Sequence, residues 1–282
     1  MNGHERGEEI VSSGAGLLIE KKALIMGVAD RHSIAWGIAE AFHRHGADLA
    51  FTYQEEPKGR IERNVRALVS TLDNRGNYPL FPCDATDDSS IERVIRSLES
   101  AWKRLDVVVH CIAFADRDDL NRPFSEISRA GYKLAMEISA YSLNAAARMA
   151  GPLMAESGGG SIITLTYNAV EKAVPGYSAM AAAKAALELG VRYLAVELGP
   201  RKIRVNAISA GPVRTLSASA VKGISALRKW TEEAAPLRAN VTAADVGDSA
   251  VYLASDLSRM VTGNIIFVDS GTHALGAQVA AV

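Results

Sequence analysis

The stretch that decides the fold is Ser161–Glu188, SIITLTYNAVEKAVPGYSAMAAAKAALE. It begins with the apolar, β-branched run Ile162–Thr166, which is typical of a buried strand. A turn that contains Pro175 and Gly176 follows, and the alanine-rich run after it predicts a helix. The stretch is therefore predicted to be one strand–turn–helix unit of a sheet that is covered by helices.

Three side chains of this unit carry groups that suit catalysis. Tyr167 follows the strand, Tyr177 begins the helix, and Lys184 lies seven residues further on. Seven residues are close to two helical turns, so Tyr177 and Lys184 are predicted to share one face, separated by roughly 10 Å of rise. A phenol and an ammonium group so placed can hold a nucleotide sugar and polarise a carbonyl oxygen. Such a pair also occurs by chance, as a half-buried ring and a solvated ammonium group, so the rest of the chain has to decide.

The composition excludes several classes of function. The chain has 282 residues, 48% of them hydrophobic, and a net charge of −1. These values suffice for one large core and give no sign of a nucleic-acid or membrane partner. The two cysteines, Cys83 and Cys111, form no CxxC pair, and the six histidines show no HExxH spacing, so no disulfide framework and no metal site are expected. No apolar run reaches about 18 residues, so no transmembrane helix is expected.

The N-terminal segment, the rest of the chain and the free thiols indicate the domain organisation and the cellular compartment. Residues 1–16 are polar and lack the apolar core of a secretion signal, which predicts a disordered tail. Residues 17–282 show no linker and no internal repeat, so they are predicted to form a single domain with a long insert at about 211–239. Free thiols fit a reducing compartment, and a cytoplasmic location is expected.

Apolar strand-like segments alternate with helical segments along the whole chain. This pattern predicts a single Rossmann-like, doubly wound parallel α/β sheet of about seven strands with helices on both faces. Right-handed crossovers bring the C-terminal ends of the strands to one edge, where ligands bind in this architecture. The predicted strands are Lys22–Gly27, Asp48–Tyr53, Tyr78–Pro82, Leu105–His110, Ile162–Thr166, Ile203–Ser209 and Asn264–Asp269. The predicted helical segments include 60–72, 130–154 and 243–255.

The first strand leads into a candidate phosphate site. It ends at Gly27, and the helix that follows would present its N-terminal amides and its dipole to an anion. Gly27 and Gly37 would permit a close approach of the backbone at this turn. The spacing departs from GxGxxG, so the motif alone does not establish a dinucleotide site.

The residues after the second strand bear on the choice of cofactor. A dinucleotide enzyme usually contacts the adenine ribose at this position. Here Glu55 and Glu56 disfavour a 2′-phosphate, which predicts NADH rather than NADPH. Lys58 and Arg60 follow closely and act in the opposite direction.

Together these residues resemble the bacterial enoyl-acyl-carrier-protein reductases of the short-chain dehydrogenase/reductase superfamily. Ordinary superfamily members have Tyr-x3-Lys, whereas Tyr177 and Lys184 form Tyr-x6-Lys with Tyr167 ten residues upstream, which is the pattern of these reductases. The similarity extends from about Leu17 to Gly271. Its matching segments are Gly27…Ser33-Ile34-Ala35-x-Gly37, Phe51–Gln54, Ile138–Ser142 and Arg204–Thr215.

The resemblance implies NADH-dependent reduction of the trans-2 double bond of enoyl thioesters on acyl-carrier protein, in fatty-acid biosynthesis, by a homotetramer. Tyr177 would hydrogen-bond the thioester carbonyl, Lys184 would hold the nicotinamide ribose, and Tyr167 would line the acyl pocket. The other cofactor-binding residues that it implies are Gly27, Ser33, Ile34, Gln54, Asp84, Ala85, Ile112, Val213, Arg214, Thr215, Leu216 and Ser217. The acyl-binding residues that it implies are Ala115, Tyr167, Met180, Leu216, Val221 and Ile224, with the insert at 211–239 as a substrate-binding lid.

Three departures from the family pattern keep other functions open. Ala113, Ala181 and Ser270 stand where family members usually have glycine, and crowding at Ala113 could indicate a different acyl substrate. The alternatives are a related short-chain reductase for another enoyl or keto substrate and a non-catalytic NAD(H)-binding protein. The presence of Tyr167, Tyr177 and Lys184 argues against the second alternative.

The insert also carries positive charge. Lys222, Arg228 and Lys229 could form a basic patch for an acidic acyl-carrier protein. The same residues could equally be the solvated face of a surface helix.

Overall fold

Seven parallel strands form one sheet in the order β3-β2-β1-β4-β5-β6-β7. The structure is a computed structural model that describes residues 16–72 and 78–276. The doubly wound parallel sheet predicted from the sequence is confirmed. The strands are β1 (Lys22–Met26), β2 (Asp48–Tyr53), β3 (Leu80–Pro82), β4 (Val107–His110), β5 (Gly160–Thr166), β6 (Ile203–Ala210) and β7 (Ile265–Val268).

The strands are connected by helices that cover both faces of the sheet. A π-helical turn, Glu137–Tyr141, joins two of these helices. The α-helices are α1 (Ile34–Arg44), α2 (Arg60–Val69), α3 (Asp88–Trp102), α4 (Arg117–Asn121), α5 (Arg129–Met136), α6 (Ser142–Glu156), α7 (Ser178–Leu198), α8 (Ile224–Ala234) and α9 (Ala243–Ala254).

The sheet is buried on both faces because successive residues of its strands belong to two different cores. Val107 and Val109 of β4 lie in the core that includes side chains of α1 and α9. Val108 lies in the opposite core, with side chains of α3, α6 and α7. Alternate residues of a strand point to opposite faces, so an uninterrupted apolar strand is the pattern that a doubly covered parallel sheet requires.

Several predicted element boundaries were wrong by a few residues, and among them strand β4 begins at Val107 rather than Leu105 and β5 at Gly160 rather than Ile162. Strand β3 begins at Leu80 rather than Tyr78, because Pro79 has no N–H to donate to the ladder. Helix α2 ends at Val69 rather than Leu72. The hydroxyl groups of Ser70 and Thr71 donate to carbonyl oxygens three residues earlier, and such local bonds compete with continuation of the helix.

Helix packing gives Gly37 a role that the sequence did not indicate. A Cβ at Gly37 would lie 2.5 Å from the carbonyl oxygen of Ala243 in α9. A Cβ at Gly247 would in turn lie 2.6 Å from the carbonyl oxygen of Gly37. The absence of both side chains therefore lets α1 and α9 pack backbone against backbone, and this contact sets the position of the α1 N-terminus.

The predictions about the N-terminal tail, transmembrane helices and metal sites can be compared only with the described residues. The predicted tail, residues 1–16, lies outside the described residues apart from Gly16. Within residues 16–72 and 78–276, no helix is long and apolar enough to cross a membrane. Across the same ranges, no cluster of three or more His, Cys, Asp or Glu side chains could hold a metal ion.

Ser270 provides a test of backbone strain. Its φ is +59°, a left-handed conformation that costs a residue with a Cβ about 1 kcal/mol or more. We expect Ser270→Gly to raise the free energy of unfolding by roughly 0.5 kcal/mol, because the greater freedom of glycine in the unfolded chain offsets part of the gain. Denaturant unfolding measures the change. Ser70→Gly is the matched control, because Ser70 has a φ of −68° and the same substitution there should reduce stability. A loss of stability in both variants would contradict the strain argument.

Candidate active site

Two cavities lie along the edge formed by the C-terminal ends of the strands. One, of about 430 Å³, is lined by residues that follow β1, β4, β5 and β6. The other, of about 520 Å³, is lined by residues that follow β2 and β3. Ligands bind at this edge in doubly wound sheets, and its position agrees with the prediction from the strand pattern.

The two tyrosines and the lysine meet in the first cavity. Tyr167 directly follows β5, and Tyr177 is the residue that precedes the first turn of α7. Their ring centroids are 5.0 Å apart with an interplanar angle of 69°. Lys184 lies two turns along α7, and its Nζ donates a hydrogen bond of 2.7 Å to the carbonyl oxygen of Leu165. The strand and the helix are thus joined directly beneath the two phenols.

Burial sets the charge of these groups. It raises the pKa of the Tyr177 phenol far above its usual value, with a smaller contribution from Tyr167. Burial, followed by the charge of Asp269, raises the pKa of Tyr167 to about 12. Both phenols are therefore neutral hydrogen-bond donors at ordinary pH. Burial also lowers the pKa of Lys184 to about 8, although Cys111 and Glu188 act in the opposite direction.

A buried histidine supports the strand ends below the site. His110, the last residue of β4, has Nδ1 at 3.0 Å from Thr164 Oγ1 of β5 and Nε2 at 2.8 Å from Ser142 Oγ of α6. Burial, with a further contribution from Lys184, lowers the pKa of His110 to about 3. A neutral imidazole therefore links two strands and a helix without adding a second positive charge near Lys184. The sequence analysis missed this role, because a lone histidine at a strand end carries no motif.

The π-helical turn holds the loop that leaves β4. The hydroxyl of Ser139 donates to the carbonyl oxygen of Phe114 and accepts from its N–H, both at 2.9 Å. Phe114 and Ala113 line the first cavity. Ser139 lies in the segment Ile138–Ser142 that supported the family resemblance, but its spacing alone gave no role.

The start of α1 forms a cradle that fits an anionic group. Gly27 has a φ of +86°, and a Cβ there would lie 2.5 Å from the carbonyl oxygen of Cys111. Ser33 caps α1 by accepting a hydrogen bond from the N–H of Trp36. Free amides and the dipole at a helix N-terminus attract phosphate. Gly27 and Ser33 line the first cavity, and β1 lies beside β2, which leads to the second cavity, so a pyrophosphate held at the cradle could have its two nucleosides in the two cavities.

The structure brings most of the predicted site residues to the two cavities and leaves two of them aside. Ala85 is buried and Arg214 is exposed, and neither lines a cavity. The second cavity is lined by Gln54 and Asp84. The first is lined by Gly27, Ser33, Ile34, Ile112, Ala115, Tyr167, Tyr177, Met180, Lys184, Val213, Thr215, Leu216, Ser217, Val221 and Ile224.

The rim of the second cavity carries negative charge. Glu55 and Glu56 both line it. The carboxylate of Glu56 accepts hydrogen bonds from the backbone N–H groups of Lys58 and Arg60, at the start of α2. The bond from Lys58, followed by that from Arg60, lowers the pKa of Glu56. This carboxylate therefore stays ionised at the rim of the second cavity.

A family model described as enoyl-(acyl carrier protein) reductase matches residues 27–273. The chain belongs to the enoyl-acyl-carrier-protein reductase family. The family predicted from the sequence motifs is thereby confirmed. The chain is 48% identical over 260 residues to the NADH-dependent enoyl-acyl-carrier-protein reductase of Nostoc, covering 92% of this chain and 98% of the relative. It is 50% identical over 260 residues to the corresponding NADH-dependent enzyme of Bacillus cereus, covering 92% and 99%.

Solved structures of the enoyl-acyl-carrier-protein reductase family have the same fold. The Bacillus cereus enzyme with NADP⁺ and indole naphthyridinone superimposes with a TM-score of 0.89 at 50% identity, covering 93% of this chain and 99% of that chain. The Anaplasma phagocytophilum enzyme in complex with NAD gives a TM-score of 0.88 at 43% identity, covering 95% and 99%.

The three basic residues considered for a patch on the insert have different surroundings. Arg228 donates a hydrogen bond of 2.9 Å to the carbonyl oxygen of Pro212, so it serves the base of the insert. Lys229 lies 3.7 Å from Glu233 in an i,i+4 pair. Lys222 is exposed. Of the three candidates, Lys222 is the exposed cation that is not paired with a carboxylate of the described residues, whereas Arg228 is half-buried and held by a neutral carbonyl group.

The depressed pKa of Lys184 predicts a pH dependence of stability. The pKa falls from its usual 10.5 to about 8 on folding, so between these values the unfolded chain binds more protons and stability increases with pH. From pH 7 to pH 9.5, we expect the free energy of unfolding to rise by about 2 kcal/mol more in the native chain than in a Lys184→Met variant. Urea unfolding at the two pH values measures both slopes, and equal slopes would contradict the burial of a titrating ammonium group.

Proposed function

We propose that this chain catalyses the NADH-dependent reduction of the trans-2 double bond of an enoyl thioester carried by acyl-carrier protein, as a step of fatty-acid biosynthesis. One observation carries this proposal: Tyr177, Tyr167 and the buried Lys184 converge in one cavity with largely apolar walls. NADH supplies a hydride when it is bound. The remaining requirements are a donor for the substrate oxygen, a cation near the cofactor sugar and a dry acyl pocket.

Tyr177 would meet the first requirement. Its raised pKa keeps the phenol protonated, so its hydroxyl can donate a hydrogen bond to the thioester carbonyl oxygen. Hydride arrival at the β-carbon places negative charge on that oxygen, and a donor fixed in advance stabilises this charge most strongly in a dry site. The edge-on ring of Tyr167, 5.0 Å away, would restrict the Tyr177 ring to the orientation that the substrate needs.

Lys184 would meet the second requirement. Its ammonium group is held by the carbonyl oxygen of Leu165 and retains further N–H donors for ribose hydroxyl groups. Its charge would also favour the build-up of negative charge on the substrate. An anionic dinucleotide beside it would stabilise the protonated form.

The insert would meet the third requirement. Leu216, Val221 and Ile224 of the insert line the cavity opposite Ala115 and Met180. These side chains would enclose the acyl chain and exclude water from the reacting carbonyl. We infer that residues 211–239 act as a substrate lid on a single catalytic domain that spans residues 17–282.

The departures from the family pattern lie close to this machinery. Ala113 lines the cavity, so its methyl group would occupy space beside the nicotinamide and the acyl chain. Ala181 lies in the first turn of α7, and its N–H donates to the carbonyl oxygen of Tyr177 at 2.8 Å. These contacts leave the tyrosines and the lysine in place, and we infer that Ala113 modulates which acyl groups fit.

We further propose that the enzyme is a cytoplasmic homotetramer. Apolar side chains on the outer face of α7 support an assembly, since Leu189, Tyr193 and Val196 are 53%, 65% and 78% exposed. Exposed apolar faces of this kind are typical of contacts between protein chains.

The role of the Tyr177 phenol can be tested by removing its hydroxyl. We expect Tyr177→Phe to lower kcat for NADH oxidation with a crotonyl thioester by about 100- to 1,000-fold, because loss of one such donor costs about that much. Tyr252→Phe, on the exposed side of α9, is the matched control and should retain activity. The decrease in nicotinamide absorbance measures both variants, and full activity of Tyr177→Phe would exclude the proposed role.

The contact with acyl-carrier protein can be tested at Lys222. Because carrier proteins are acidic, we expect Lys222→Glu to lower kcat/KM about tenfold for crotonyl-acyl-carrier protein. A crotonyl N-acetylcysteamine thioester has no net charge and should react at an unchanged rate. Lys21→Glu, placed before β1 at the opposite edge of the sheet, is the control. Equal effects on the two substrates would exclude a docking role for Lys222.

A further inference from the structure

The tip of the lid is joined to the body of the enzyme by one amide side chain. We define the lid tip as residues 217–223; it faces Asn121, the last residue of α4. Asn121 Oδ1 accepts a hydrogen bond of 3.0 Å from the N–H of Lys222. Asn121 Nδ2 donates one of 3.3 Å to the carbonyl oxygen of Ala220. The same amide group therefore binds a donor and an acceptor of the lid backbone.

This contact lies at the cavity that holds the two phenols. Leu120, beside Asn121 on α4, lines that cavity from the body, and Ala220 and Val221 line it from the lid. On the other side of the lid tip, a Cβ at Gly176 would lie 3.0 Å from the carbonyl oxygen of Lys222. The lid tip is thus held in a slot between α4 and the loop that precedes α7.

The chemistry of the contact requires an amide. One atom of the side chain must accept a hydrogen bond and the other must donate one, which asparagine does and aspartate or leucine cannot. The amide orientation is fixed further by α4 itself, because Asn121 Nδ2 also donates to the carbonyl oxygen of Arg117 at 2.8 Å. The acceptor of Asn121 is therefore aimed at the lid before the lid closes.

Apart from the hydrogen bonds to Asn121, the face of the lid that is turned to the cavity makes mainly apolar contacts. Val221, Ile224 and Leu227 face the cavity and are half-buried. The hydrogen bonds of Thr215 and Ser219 stay within the lid. Closure of the lid before a long acyl chain is bound therefore depends on the amide of Asn121.

We propose that Asn121 is a positioning residue that holds the substrate lid closed. Its two bonds to the lid tip break when an acyl thioester enters and form again around the bound chain. The identity of the ligand rests on the proposed function, whereas the opening of the lid does not. Loss of the amide shifts the lid toward the open state and weakens the binding of long acyl chains more than short ones, because long chains reach more of the lid.

Limited trypsin digestion of the full chain tests the opening without any substrate. Lys222 lies in the lid tip, so cleavage after it requires the tip to leave its slot. We expect Asn121→Ala to raise the initial rate of cleavage at Lys222 about fivefold to tenfold, the effect of losing one or two net hydrogen bonds. Asn121→Asp keeps the acceptor for Lys222 and loses the donor to Ala220, so it should also be cleaved faster. Asn64→Ala, the same change at an exposed position of α2, should behave as the native chain.

Steady-state kinetics separate a positioning role from a general structural one. We expect Asn121→Ala to raise KM for a trans-2-octenoyl thioester about fivefold, with smaller change for a crotonyl thioester and none in KM for NADH. Native cleavage rates in both Asn121 variants would overturn the proposal. A lowered melting temperature with equal increases in KM for NADH and both thioesters would also overturn it. If the native chain oxidises NADH with neither thioester, the proposed function fails, and the digestion still decides the role of Asn121.

Discussion

The hydrogen bond from Lys184 to the carbonyl oxygen of Leu165 is the contact on which the site depends. It places a cation inside the protein, at a cost that the lowered pKa records. It also fixes α7 against the end of β5, so that the tyrosine after the strand and the tyrosine before the helix meet edge to face. A second bond, from Thr166 Oγ1 to the buried Glu188 Oε1 at 2.7 Å, joins the same strand and helix one turn further along. The two phenols are thereby oriented by buried bonds and not by the loop between them.

Two groups close to this contact, the imidazole of His110 and the thiol of Cys111, are uncharged. Burial makes His110 neutral and keeps the thiol of Cys111 protonated by raising its pKa to about 12. Lys184 is then the cation that an anionic cofactor meets, with neutral donors around it. In a region of low dielectric constant, such an arrangement favours negative charge next to Lys184 and does not change the protonation of the neutral groups around it. Residues outside the Tyr-x6-Lys motif, such as His110 and Cys111, thus set the electrostatic surroundings of Lys184, which belongs to the motif.

The sequence predicted a doubly wound parallel sheet and most of the residues at the C-terminal ends of its strands. These features follow from local patterns in the sequence. An uninterrupted apolar, β-branched run such as Val107–Val109 predicts a strand that is buried on both faces. The Tyr-x6-Lys spacing is specific to this family of reductases. Other features depend on contacts between distant segments, which no local pattern encodes. The packing of Gly37 against α9 and the hydrogen bond from Arg228 to Pro212 are two such contacts. Asn121 and Ser139 resemble ordinary helix residues until the partner segments are known.

The backbone contact between α1 and α9 has a consequence for how the enzyme is made. The turn proposed to receive the cofactor phosphates precedes α1, yet the helix that supports it begins at Ala243, after five further strands. A chain still emerging from the ribosome can form β1 and α1, but α1 then lacks the surface that sets its position. A chain that has not yet been extended past α9 therefore lacks the packing that fixes the turn before α1.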